Sequence, residues 1–102
     1  MSIRPPGRRV APDDEGIAGL EHEIRGEQAA SLGRSGRLVE HALAALRGFE
    51  GTSDDRRPLV RAAAQAVQAY FVQREACGLR RHDHVIADLA IPREVLAALG
   101  AA

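Results

Sequence analysis

The chain has 102 residues, with fourteen acidic and fourteen basic side chains and no net charge. That length suits one domain, and the balanced charge removes the basic excess with which a nucleic-acid binder neutralises phosphates. Nineteen alanines, basic residues that are all arginine, and only one tyrosine and two phenylalanines predict an all-α chain, because alanine and arginine favour helix and strand formers are scarce.

Residues 1–12 read as a flexible arm. Pro5, Pro6, Gly7 and Pro12 oppose helix, and no apolar periodicity gives the segment anything to pack. A single helical domain is expected over 13–102. The start "MSIRPPGRRV" lacks the apolar run of a signal peptide, and no stretch approaches the ~18–20 residues of a membrane span. One cysteine excludes an intramolecular disulfide and suits a reducing compartment. The expectation is a cytoplasmic protein with no membrane association.

Asp13, Asp14 and Glu15 place acids where a helix would begin. Ile17, Leu20 and Ile24 follow at helical spacing, with Leu32, Leu38, Val39, Leu43, Leu46 and Phe49 beyond. A first helix is therefore expected from about Asp14 to Phe49. Its glycines are unusual, since Gly19, Gly26 and Gly33 recur seven apart and Gly36 follows, each costing a helix about 1 kcal/mol relative to alanine. One reading breaks the helix at "LGRSG", with Gly33 ending one segment and Ser35 capping the next. The other keeps it continuous, with the small residues Gly26, Ala29, Ala30 and Gly33 admitting a second helix at close range. The continuous helix is the one adopted here, with helix–helix contact assigned to Gly26, Ala30 and Gly33.

"EGTSDDRRP" ends that element. Asp54 or Asp55 can cap the next helix, with Pro58 in its first turn. "LVRAAAQAVQAYFVQREAC" then predicts a second long helix whose broad face carries Val60, Ala63, Ala64, Val67, Phe71 and Arg74. Gly78 is suited to its C′ position, with apolar Leu79 after it. Two short helices complete the chain. One runs from about His82 to Leu89 and buries Val85, Ile86 and Leu89, and one starts at Pro92 and buries Val95, Leu96 and Leu99. Together these elements make a helical bundle.

"GLEHEI", "AASLGRSGRLVEHALAAL" and "QREACGLRRHDHVIADLAIPREVLAALG" resemble a family of small alphaproteobacterial proteins that share a domain of unknown function. The resemblance covers most of the chain beyond the arm. It implies no activity, cofactor or site residue.

Four patterns invite chemistry. "DLAIPREVLAAL", Asp88 to Leu99, resembles the turn of a helix-turn-helix, with Ala90 at the usual glycine position. However, Ile86 stands where that motif wants alanine, and only Arg93 and Glu94 are available to read a groove. A helical hairpin on the core explains it better. In "CGLRRHDH", Cys77, His82 and His84, with Asp83 or Asp88, have ligand chemistry. Their spacing matches no established metal signature, and no second ligand pair accompanies them. Arg74, Arg80 and Arg81 would favour a Cys77 thiolate, but a cysteine ending an apolar helical face is more simply a small hydrophobe. His22, Glu23 and Glu27 lack the Glu-x-x-His repeats of a di-iron bundle and read as a solvated face. "LGRSGR" lacks the preceding strand that a phosphate-binding loop needs. No catalytic residue, cofactor site or metal site is assigned.

By elimination, the expected role is protein–protein interaction. The first helix is longer than the remaining elements can cover, which calls for a homodimer, the commonest closed assembly, and for a protein partner not identifiable from sequence. The alternative is a DNA-associated regulator using a degenerate helix-turn-helix at 82–99, although the charge balance argues against nucleic acid.

Overall fold

A computed structural model describes the backbone of residues 6–100 and the side chains of residues 16–100. Four helices follow one another, with no strand among the described residues: α1 (Pro6–Arg47), α2 (Ser53–Ala76), α3 (Asp83–Asp88) and α4 (Arg93–Ala97). The all-α expectation holds, and α1 runs through Gly33, Ser35 and Gly36 without a break. Of the segment expected to be an arm, residues 1–5 lie outside the described residues, and 6–12 carry helical backbone. A proline is tolerated at the first helical position, where its missing N–H would be unpaired anyway. The chain falls into two units, Met1–Ala30 and Ser31–Ala102. Their boundary lies inside the range 13–102 read from sequence as one domain.

The unit from Ser31 onward contains the core. Val39, Leu43 and Leu46 of α1 pack with Ala63, Ala64 and Val67 of α2, and Ile91 and Val95 close the cluster. The link between α1 and α2 is short, so the two helices run antiparallel. Gly36 marks a close approach there, since a Cβ on it would lie 3.3 Å from Cε1 of Tyr70. Around this centre Leu59, Phe71, Ile86, Leu89, Leu96 and Leu99 are partly buried. Leu96 and Leu99, read as buried from their spacing, end at the rim of the core because α4 has only five residues.

Helix ends follow local chemistry. Thr52, rather than Asp54 or Asp55, caps α2. Its Oγ1 accepts the Asp55 N–H at 3.1 Å, leaving both aspartates inside the first turn, where they meet the positive end of the helix dipole. Pro58 consequently lies beyond the first turn, inside the helix. At the other end Cys77 is the C-cap and Gly78 has φ +89°. The Leu79 N–H donates to the Arg74 carbonyl and the Gly78 N–H to the Glu75 carbonyl, the paired bonds of a Schellman turn.

The same turn recurs after α3 with a different residue. The Ile91 N–H donates to the Ile86 carbonyl and the Ala90 N–H to the Ala87 carbonyl, which holds Ala90 at φ 51°. An L-residue with a Cβ is strained in that region by about 1–2 kcal/mol. Two contacts over-determine it. Arg47 Nη2 donates to the carbonyls of Leu89 and Ala90 at 2.9 and 3.0 Å, placing a cation at the negative end of α3. Arg56 makes a two-pronged bond to Glu94 at 3.1 and 3.0 Å, tying α4 to α2. That hydrogen bond holds the Glu94 carboxyl below the usual carboxylate range. Ala90→Gly is expected to stabilise the protein by up to about 1 kcal/mol, because glycine adopts positive φ without a Cβ clash. Urea denaturation measures it, and a lowered midpoint would mean that Ala90 is not strained.

Candidate functional site

Among the described residues of this one chain, nothing from a second helix comes within 4 Å of a Cβ at Gly26 or Gly33, two of the residues assigned to helix–helix contact. A Cβ on Gly26 would meet nothing within 4 Å, and one on Gly33 would meet only the guanidinium of Arg37 at 3.5 Å. Ala30 is exposed. The small residue that α2 does use is Gly36, where Tyr70 lies alongside. Periodicity marks glycines along α1, but only the position of the Tyr70 ring selects one of them.

The most developed polar cluster lies at the C-terminal end of α2. Arg74 is buried although charged, with 5% of its surface exposed. Its Nε donates to Nδ1 of His82 at 3.1 Å and its Nη2 to the Arg81 carbonyl at 2.8 Å. Because His82 Nδ1 accepts, its Nε2 carries the proton and donates to Glu75 Oε2 at 3.0 Å. The imidazole lies flat on Phe71, with centroids 4.1 Å apart and planes within 2°. Arg74 also sits over the Tyr70 ring at 5.9 Å, a weak cation–π contact. The sequence places Arg74 on the broad face of α2, but nothing local pairs it with His82.

This cluster accounts for "CGLRRHDH". Both ring nitrogens of His82 are engaged, while His84 and Asp83 point to solvent. Among the described residues no three His, Cys, Asp or Glu side chains are grouped to hold a metal ion. Cys77 is a free thiol of intermediate burial, because the C-cap is where the chain turns away from the core. His22, Glu23 and Glu27 are exposed on α1. Among the described residues, a depression of about 320 Å³ is lined by Arg61, Ala64, Gln65, Gln68, Ala69, Ala98 and Gly100, of which Arg61 carries the charge.

The hairpin α3–α4 has one helix-turn-helix feature, the left-handed residue Ala90 in its turn. Its second helix has five residues, of which Val95 is buried and Glu94 is bonded to Arg56. Little remains of it to enter a groove, which calls for several side chains at base edges.

The exposed face of α1 is the larger feature. Every side chain from Gly16 to Ala30 is exposed. Ile17 keeps 58%, Leu20 57% and Ile24 49% of its surface open to solvent. These three residues, spaced by three and four, form one apolar stripe. No helix among the described residues is long and apolar enough to cross a membrane.

A family model, that of the Family of unknown function DUF6665, matches residues 7–102, in agreement with the resemblance carried by "GLEHEI", "AASLGRSGRLVEHALAAL" and "QREACGLRRHDHVIADLAIPREVLAALG". No curated protein and no solved structure matches the chain.

If the Arg74 cluster holds the turn between α2 and α3, removing the guanidinium strands the Arg81 carbonyl and the His82 ring. Arg74→Met is expected to cost about 2–3 kcal/mol. Arg74→Lys should not rescue it, because one ammonium cannot reproduce the forked geometry. Denaturation of Arg74→Met, His82→Ala and the double variant tests this. Strictly additive losses would show that the two residues are not coupled.

Proposed function

This chain belongs to the DUF6665 family, a family of unknown function, and we propose that it is a cytoplasmic interaction module that works by self-association. The observation that carries the reading is the apolar stripe of Ile17, Leu20 and Ile24, about half exposed on a helix whose side chains from Gly16 to Ala30 are all exposed. Most helical stability in proteins comes from packing an amphipathic face, and short isolated helices are marginal in water. Complete burial of a leucine or isoleucine is worth about 1.5–3 kcal/mol, so covering the exposed half of each contributes roughly 1 kcal/mol or more. A partner that covers the stripe therefore stabilises both the helix and the complex. The single free cysteine supports a reducing compartment.

Sedimentation equilibrium over a range of concentrations tests the reading. The native chain is expected to be dimeric, and the triple variant Ile17→Ser, Leu20→Ser, Ile24→Ser monomeric with reduced helicity. A native chain that stays monomeric throughout, with undiminished helix content, would refute self-association. Salt-dependent binding of duplex DNA by the native chain would instead favour the regulator reading of residues 82–99.

A further inference from the structure

We infer that the depression between α2 and the end of α4 is a binding site for an aliphatic monocarboxylate, a ligand with one anionic head and an apolar body. Arg61, Gln65 and Gln68 line it from α2, and their spacing of four and then three residues puts them on one helix face. Ala64, almost wholly buried, and Ala69 add apolar surface from the same helix, and Ala98 and Gly100 line the other side. That other side is held in place. Val95 is buried in the core and Glu94 is bonded to Arg56 at 3.1 and 3.0 Å, so the residues that follow are kept against α2. At about 320 Å³ the space lies at the lower end of the range for small-molecule sites.

Three of the arginines of α2 are engaged. Arg56 bonds Glu94, Arg57 pairs with Asp54, and Arg74 bonds His82 and the Arg81 carbonyl. Arg61 makes no hydrogen bond or ion pair with any described residue. Its forked guanidinium is therefore available to a carboxylate, whose two oxygens it matches with parallel bonds. The side-chain amides of Gln65 and Gln68 can donate to the same anion. Among the described residues the lining disfavours other ligand chemistries. It has no acidic side chain to pair with a cationic ligand. It has no aromatic ring on which a flat base could stack. Its single cation leaves a phosphate dianion under-compensated. An aliphatic body needs only the alanine surface, whose cover by apolar atoms supplies the attraction.

Titration of the chain with octanoate, followed by amide chemical shifts, tests the site. Saturable shifts are expected at Gln65, Gln68, Ala69 and Ala98, with none from inorganic phosphate or octylammonium. Arg61→Gln is expected to weaken octanoate binding by about tenfold or more, the usual consequence of losing hydrogen bonds to a charged group. Gln65→Glu should weaken it too, because a carboxylate one turn from Arg61 engages the guanidinium and repels the ligand. Both side chains are exposed, so both variants should keep the native thermal midpoint, which circular dichroism checks. No saturable shift up to millimolar octanoate would overturn the proposal. So would octylammonium or phosphate binding as tightly as octanoate, or an unchanged affinity in folded Arg61→Gln.

Discussion

The close seating of α2 against α1 is the contact on which the 31–102 unit depends. Alanines make it possible. Ala63 and Ala64 are buried beside Val67 on α2 and meet Val39, Leu43 and Leu46, while Gly36 leaves room for the ring of Tyr70. With no tryptophan and only three other aromatic residues, this core cannot fill space with large rings, so it closes distances instead. Ile91 and Val95 complete it, which requires α3 and α4 to be held against the two long helices despite having six and five residues.

Helices of that length do not persist in water alone, and three arginines fasten them. Arg47 meets the carbonyls ending α3, Arg56 grips Glu94 on α4, and Arg74 holds Arg81 and His82 ahead of α3. These anchors differ in strength. The Arg56–Glu94 pair is substantially exposed and contributes little, as solvent-screened pairs do. Arg74 is buried and its bonds to His82 and the Arg81 carbonyl are part-buried, so its loss would leave those groups without their partner where solvent only partly replaces it. Strain at Ala90 survives because Val95 and Ile91 are packed on one side of the turn and Arg47 is bonded to its carbonyls. Residues 16–30 of α1 have no equivalent cover, and their exposed isoleucines and leucine set the functional reading.

Local physics made much of this legible. Alanine content and apolar spacing located both long helices, Gly78 marked the end of α2, and Val85 and Val95 were identified as buried from periodicity alone. Competition among equivalent local signals hid the rest. Thr52, Asp54 and Asp55 can all cap a helix, and the order of the chain does not say which will. Gly19, Gly26, Gly33 and Gly36 look alike along α1 until Tyr70 is placed beside Gly36. His82 reads as a ligand beside Cys77 and His84, and it becomes a structural residue only when Arg74, Glu75 and Phe71 surround it. The partners of Arg47 and Arg56 lie some forty residues away in sequence, beyond the reach of any periodic pattern. For the site, the apolar spacing of Ile17, Leu20 and Ile24 was visible, but only the structure shows that the stripe is open.

The most direct measurement is amide hydrogen exchange over residues 16–30 at several protein concentrations. A helix stabilised by a second copy opens less often as association fills its face. Protection of these amides should therefore rise with concentration, while that of the amides around Val39, Leu43 and Val67 stays constant. Protection over 16–30 that does not change with concentration would contradict a helix completed by self-association.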